Sequence, residues 1–291
     1  MKHFNDFQFT VDEVFINDLL KSIRDNEESS FDRSLLTSLF SLIDLTRLGE
    51  KDNAENIGNL CEQVNTLDDA YPGLPNVAAL CVYPELIPIA RARLSNPLVN
   101  LASVGGGFPA SQTFLEIKIA EIEMAVQAGA EEIDMVLPVG KFLLGLLDEV
   151  FEEIKTIREK TAGITLKVIL ETGSLEDLTL VRKASILAME AGADFIKTST
   201  GKAGTGATPD AFAVMCHAVM DYYNRTGKKI GVKPAGGIAT TESAVVYYRI
   251  VESILGQEWL NPEKFRIGAS RLANEILARI FEKDENFSYF Q

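Results

Sequence analysis

Ala191-Gly-Ala-Asp-Phe-Ile-Lys-Thr-Ser-Thr-Gly-Lys202 is the stretch whose reading decides the fold. A glycine closing an apolar, alanine-containing run ends a helix, because glycine enters the left-handed region without a Cβ penalty. A short apolar run follows, broken by Lys197, and gives way to a second glycine at Gly201. The same grammar occurs earlier, where Ala128-Gly129-Ala130 precedes Glu-Glu-Ile-Asp134. Counted from Gly129 and Gly192, Asp134 and Lys197 fall at the same position of two strand-like runs.

Reading outward from these two units gives eight strand-like runs: 42–46, 77–83, 100–104, 132–137, 164–170, 195–200, 230–235 and 265–269. Helix-like segments such as 113–127 and 146–159 lie between them, and Thr208-Pro209-Asp210 reads as a helix cap with proline at the first helical position. Eight strands alternating with helices over about 250 residues predict a (β/α)8 TIM barrel, hence an α/β protein. A doubly wound open sheet is the alternative, but no GxGxxG follows the first strand. Residues 1–40 read as an N-terminal helical extension, with helical spacing over 11–23 and 30–43. The barrel is expected over residues 41–283 and a short tail over 284–291, part of which reads as an expression remnant. On this strand count Asp134 and Lys197 lie on strands four and six, and Lys167 and Lys233 on strands five and seven. Alternate strands of such a barrel feed the same interior layer.

The 291-residue chain is 46% hydrophobic, enough to bury a full core. No run approaches the roughly 18 apolar residues of a membrane span, and the N-terminus lacks the basic-then-apolar order of a secretory signal. Cys61, Cys81 and Cys216 form no CxxC pair and no even set, which argues against a disulfide framework or structural zinc and for a reducing cytoplasm. A net charge of −14 without a basic run argues against nucleic acid. His3 and His217 are the only histidines. That scarcity speaks against a Ser-His-Asp hydrolase, an aldolase with several histidine metal ligands, or an isomerase pairing Glu with His. Acid–base work falls to lysine and aspartate.

Lysine is seldom buried without a partner, so Lys167, Lys197 and Lys233, each interrupting an apolar run, need a reason. Any one of them fits a satisfied ion pair or a side chain turned outward between helices; all three point to a shared interior. Neighbouring cations and desolvation both lower a lysine's pKa and release the neutral amine that attacks a carbonyl. Asp134 could then relay protons and balance charge. Asp44 is a second interior carboxylate or, equally, a strand-end cap. Thr198-Ser-Thr-Gly-Lys202, Pro234-Ala-Gly-Gly237 and Ile267-Gly-Ala-Ser270 end strands six, seven and eight. Active sites of this fold assemble at such ends, and glycine lets backbone N–H groups approach a phosphate. Cys81 reads as a small core residue rather than a reactive thiol, and Tyr222, Tyr223, Tyr247 and Tyr248 read as outer packing or surface.

With these residues in view, the chain resembles the deoxyribose-phosphate aldolase family of class I enzymes from about Leu42 to Leu277. Phe195-Ile-Lys-Thr-Ser-Thr-Gly-Lys202 resembles the family's Schiff-base segment, which implies Lys197 as the imine-forming residue. Val232-Lys-Pro-Ala-Gly-Gly237 resembles its second signature and implies Lys233 as the cation that depresses the nucleophile's pKa. The resemblance further implies Asp134 as proton relay, Lys167 as another active-site lysine, and Asp44 and Cys81 as residues lining the substrate region. Thr200, Gly201, Lys202, Gly236, Gly237 and Ser270 would surround substrate and phosphate. The implied reaction is reversible cleavage of 2-deoxyribose 5-phosphate to glyceraldehyde 3-phosphate and acetaldehyde. It requires no metal and no organic cofactor, takes a small phosphorylated sugar and acetaldehyde as partners, and allows a homodimer. Departures exist: Arg271 follows Ser270 where familiar members often have a second serine, either adding charge to the phosphate site or turning outward, Gly105-Gly-Gly-Phe-Pro109 is followed by Ala-Ser, and Tyr289 is followed by Phe290 and Gln291.

Overall fold

A computed structural model describes residues 1–25, 31–175, 177–284 and 287–291. Eight parallel strands form one sheet: β1 (Ile43–Thr46), β2 (Ala79–Val82), β3 (Asn100–Gly105), β4 (Glu132–Val136), β5 (Thr165–Ile169), β6 (Phe195–Lys197), β7 (Gly231–Lys233) and β8 (Ile267–Ala269). The ladder runs from β7 down to β1 and on to β8. Bridges Val232–Phe265 and Ala235–Gly268 join β7 to β8, so the sheet closes as the (β/α)8 reading expects. Each strand falls on its predicted run, β3 extending one residue past it to Gly105. Most are shorter than expected, β2 and the last three above all. Thr198 still pairs with the Lys233 carbonyl and the Thr172 N–H; beyond it the Thr200 N–H turns to the Glu171 carboxylate instead of a strand carbonyl.

Strand alternation divides the side chains into two sets. Outward-facing residues such as Leu45, Leu80, Ile133, Val168 and Ile196 are buried against the helices and form the main core. Inward-facing residues build stepped layers of four. The ladder pairs Asp134 with Lys167, and Lys167 with Phe195, two residues before Lys197. Strand tilt in an eight-stranded barrel offsets equal height by about one residue per strand, so Asp134 and Lys197 share a layer after all. Carried around the registers, the lowest layer is Ala79, Glu132, Phe195 and Arg266. The middle layer is Asp44, Ala102, Lys167 and Lys233, and the upper one is Cys81, Asp134, Lys197 and Gly268. The small members leave room for the long charged ones.

The helices start at caps readable in the chain. Asn53 and Thr240 form capping boxes, and Thr208 caps the helix Pro209–Thr226 with Pro209 in its first turn. In the N-terminal segment a helix spans Glu13–Asp25 rather than 11–23, and Asp12 accepts from the Phe15 N–H at 3.0 Å. A second spans Arg33–Ser41, capped by Asp32; Ile43 belongs to β1, and Ser30 lies outside the described residues. The first of these helices packs on the outer helices Pro209–Thr226 and Thr241–Ile254, and the second on Thr241–Ile254 and Leu272–Ile280. Phe290 of the tail stacks on Phe40 at 6.4 Å between centroids. Among the described residues no helix is long and apolar enough to cross a membrane.

Gly231 faces the ring of Phe195, and a Cβ there would overlap it. Gly231→Ala is therefore expected to destabilise the barrel by about 1–3 kcal/mol, the usual cost of overpacking. A denaturant midpoint equal to the parent's would show that the ring has space to move aside.

Candidate active site

Among the described residues, seven ionisable side chains other than Cys81 stand in these layers, two in the lowest, three in the middle and two in the upper, and all are buried. Asp134 lies at their centre. Its Oδ2 accepts from the amines of Lys197 and Lys233, each at 2.8 Å, and its Oδ1 accepts from Lys167 at 2.9 Å. Asp44 accepts from Lys233 at 2.5 Å through Oδ2 and from Arg266 at 2.6 Å through Oδ1. Glu132 accepts from Lys167, from Arg266 at 2.9 Å and from Asn100 at 2.7 Å. Strand pairing makes these contacts unavoidable: Lys197 is in register with Lys233, and Asp134 with Lys167.

The electrostatics follow from burial and then from neighbours. Burial alone would raise the carboxyl of Asp134, but Lys167, Lys197 and Lys233 together hold it well below the usual range. Asp44 is likewise held low against burial by Lys233, Arg266 and Lys167, and Glu132 by Lys167 and Arg266. Lys233 and Lys167 resist burial through their carboxylates and stay above the ordinary lysine range. Lys197 goes the other way. Burial lowers it first and the Lys233 ammonium lowers it further, against the single carboxylate of Asp134. Of the three amines, Lys197 is the one poised to be neutral.

Lys197 also lies on the floor of a cleft of about 510 Å³ at the C-terminal ends of the strands. The three glycine-bearing loops predicted from sequence meet there, and Thr200, Gly201, Lys202, Gly236, Gly237 and Ser270 all line it. The loops after β6 and β7 press together: a Cβ on Gly206 would collide with the Gly236 carbonyl, and Ala207 N–H donates to Ala235 and Gly236 carbonyls at 3.1 Å. The Lys202 amine donates to Leu48 O at 2.5 Å and ties in the loop after β1. The helix Leu272–Ile280 begins beside Ser270 with no side chain capping its first turn, which leaves N–H groups for an anion.

The remaining candidates lie lower. Asp44, Asp134, Lys167 and Lys233 sit beneath the cleft floor and are fully buried. Cys81 is in the layer of Lys197 but packs in a small apolar cluster with Leu48, Ala79, Ala102 and Val104. Tyr289 is outside the cleft; its hydroxyl donates to Gln63 O at 2.9 Å. Tyr222 and Tyr247 are buried on their helices, Tyr247 donating to Ala207 O at 3.0 Å. Several cleft and barrel groups went unread in the sequence. Glu132 precedes Asp134 by two, and Arg266 precedes Gly268 by two, so strand alternation alone aims both inward. Arg47, also unread, lines the cleft with Lys202 and with Arg271, already singled out in the sequence, giving it three cations against Asp52. Glu171, at φ 54°, accepts from the Thr200 hydroxyl at 2.6 Å and braces the loop after β6.

A neutral amine on the floor of such a cleft can add to a carbonyl, and a carboxylate 2.8 Å away can take and return protons. The family model of the DeoC/LacD family aldolases matches residues 39–250. The human deoxyribose-phosphate aldolase is 42% identical over 257 residues, covering 84% of this chain and 80% of its own length. The enzyme of that name from Agrobacterium fabrum is 41% identical over 239 residues, covering 81% and 88%. The tetrameric deoxyribose phosphate aldolase of Aeropyrum pernix superposes with a TM-score of 0.65 at 27% identity, over 90% of this chain and 97% of that one.

Burial pushes the Cys81 thiol up to about 11, Asp134 adding to the rise and Lys233 opposing it. Burial also lifts Cys61 to about 11 and holds Cys216 well above the ordinary thiol value. All three are free and buried, so at pH 8 a thiol-exchange reagent should find no rapidly reacting cysteine until denaturant is added. A fast phase of one equivalent, mapped to Cys81, would assign it a reactive role instead.

Proposed function

Because the chain belongs to the DeoC/LacD aldolase family, we propose that it cleaves 2-deoxyribose 5-phosphate reversibly to glyceraldehyde 3-phosphate and acetaldehyde through an imine on Lys197. The observation that carries this reading is a buried lysine with lowered pKa, on the floor of a cationic cleft, sharing one aspartate oxygen with a second lysine.

In the synthetic direction the neutral Lys197 amine attacks the acetaldehyde carbonyl, forming a carbon–nitrogen bond as the oxygen gains a proton. Loss of water from that carbinolamine leaves a protonated imine, which draws electrons from the adjacent methyl carbon. Asp134 is the base within reach of this centre, and its three lysine contacts keep it ionised and ready to pass the proton on. The resulting enamine carbon attacks the aldehyde of glyceraldehyde 3-phosphate, and hydrolysis of the new imine releases the sugar. Lys233 stays charged throughout, held by Asp44 and Asp134, and serves as the cation that keeps Lys197 from being protonated.

The phosphate belongs at the mouth of the cleft. Lys202, Arg47 and Arg271 outnumber Asp52 by two charges, the complement of a phosphate dianion. Gly201, Gly236, Gly237 and Ser270 offer backbone and hydroxyl contacts around it. Arg271, standing where familiar relatives have serine, fits this role as a charge-assisted donor. A reducing cytoplasmic setting accords with three free cysteines, and assembly into a homo-oligomer accords with the tetrameric relative from Aeropyrum pernix.

Reduction with borohydride in the presence of acetaldehyde should attach a two-carbon adduct to Lys197, and Lys197→Ala should lose both adduct and turnover. Adduct on another lysine with turnover intact in Lys197→Ala would discard the reading. Separately, Arg271→Ala is expected to raise KM for the phosphorylated sugar roughly tenfold or more while leaving unphosphorylated deoxyribose nearly unchanged. Equal effects on both substrates would remove Arg271 from the phosphate site.

A further inference from the structure

The interior of the barrel contains four cationic side chains, Lys167, Lys197, Lys233 and Arg266, and three carboxylates, Asp44, Glu132 and Asp134. One cation is in excess. A guanidinium does not give up its proton, so the excess is relieved by one of the lysines. Arg266 occupies Oδ1 of Asp44 and Oε1 of Glu132. Lys233 then takes Oδ2 of Asp44, and Lys167 takes Oε2 of Glu132 and Oδ1 of Asp134. What remains for Lys197 is Oδ2 of Asp134, already shared with Lys233.

We propose that Arg266, paired with Glu132 and Asp44 in the lowest layer, is a positioning residue that leaves Lys197 as the interior amine without a carboxylate oxygen of its own. The inference rests on Lys197 being the nucleophile and adds the reason that it, rather than Lys167 or Lys233, is neutral. Arg266 does not touch the cleft. It is 4% exposed, seated over the ring of Phe195 at 5.9 Å, and works only through the carboxylates it engages. Facing Lys197 directly are Asp134 from β4, Lys233 from β7 and Cys81 from β2, with Lys167 and Asp44 behind them. Above it the cleft presents Arg47, Asp52, Lys202 and Arg271. Substitutions at Arg266 or Glu132 leave these four cleft residues in place, so a change in Lys197 reports the lowest layer and the carboxylates it engages.

The test uses the full chain and brief pulses of acetaldehyde with borohydride across pH, scoring the Lys197 adduct by mass spectrometry. Arg266→Met removes the excess cation and should move the midpoint of adduct formation up by about one pH unit or more, because Lys197 keeps its proton. Glu132→Gln deepens the excess and should move the midpoint down by a similar amount. The double variant removes one charge of each sign and should return near the parent's midpoint, while Arg266→Lys keeps the charge and should stay close to it. If Arg266→Met alone does not fold, the downward shift of Glu132→Gln and its reversal in the double variant carry the test. Midpoints that do not move, or that move in the same direction for both single variants as general loosening would cause, overturn the proposal. A parent protein without Lys197 adduct at any pH would instead overturn the nucleophile assignment on which it rests.

Discussion

One carboxylate oxygen accepting from two amines is the contact on which the rest of the site depends. Oδ2 of Asp134 lies 2.8 Å from both Lys197 and Lys233, and it cannot neutralise two ammonium groups. In water the conflict would be trivial. Between fully buried groups, where charges interact through a low dielectric, it is resolved by one amine losing its proton. Lys233 has Asp44 as a second partner and Lys197 has none, so the proton leaves the lysine that meets the cleft.

A charged interior of this kind costs stability by itself. Taking six ionised groups and a neutral amine from water is unfavourable unless each finds partners, and breaking one pair leaves an uncompensated charge. The barrel meets that demand by geometry. Layers of four place every long charged side chain opposite small neighbours, Ala79, Ala102 and Gly268 among them. The apolar work of folding is done on the other face of the same strands, where Leu45, Leu80, Ile133 and Val168 pack against helices. The fold thus buries its hydrophobic surface outside the sheet wall and its chemistry inside it.

The cleft divides the same labour by height. Below its floor the groups are locked by hydrogen bonds and fully buried, whereas at its mouth Ser270 and Arg271 are exposed. Loops hold the mouth in place through backbone approaches that only glycine permits at Gly206 and Gly236. Lys202 and Glu171 add side-chain ties from neighbouring strands. On the proposed reading, proton handling is therefore rigid and anion binding adjustable. That accords with arginines standing at positions 47 and 271 without disturbing the layers beneath.

The chain by itself determined which residues are chemically unusual. Short apolar runs alternating with helix-like segments marked eight strands, and a charge in the middle of an apolar run at 134, 167, 197 and 233 marked the interior. Those signals are local and survive without knowledge of the fold. Tertiary structure decided who pairs with whom. Asp44 and Arg266 are 222 residues apart and meet only because β1 closes against β8. The same closure answered whether Asp44 was a cap or an interior partner, put Cys81 among apolar neighbours, and drew Glu132 and Arg266 into the network. Register and tilt belong to the closed sheet and not to any one strand, so the free amine could be identified only once the barrel had assigned every carboxylate oxygen.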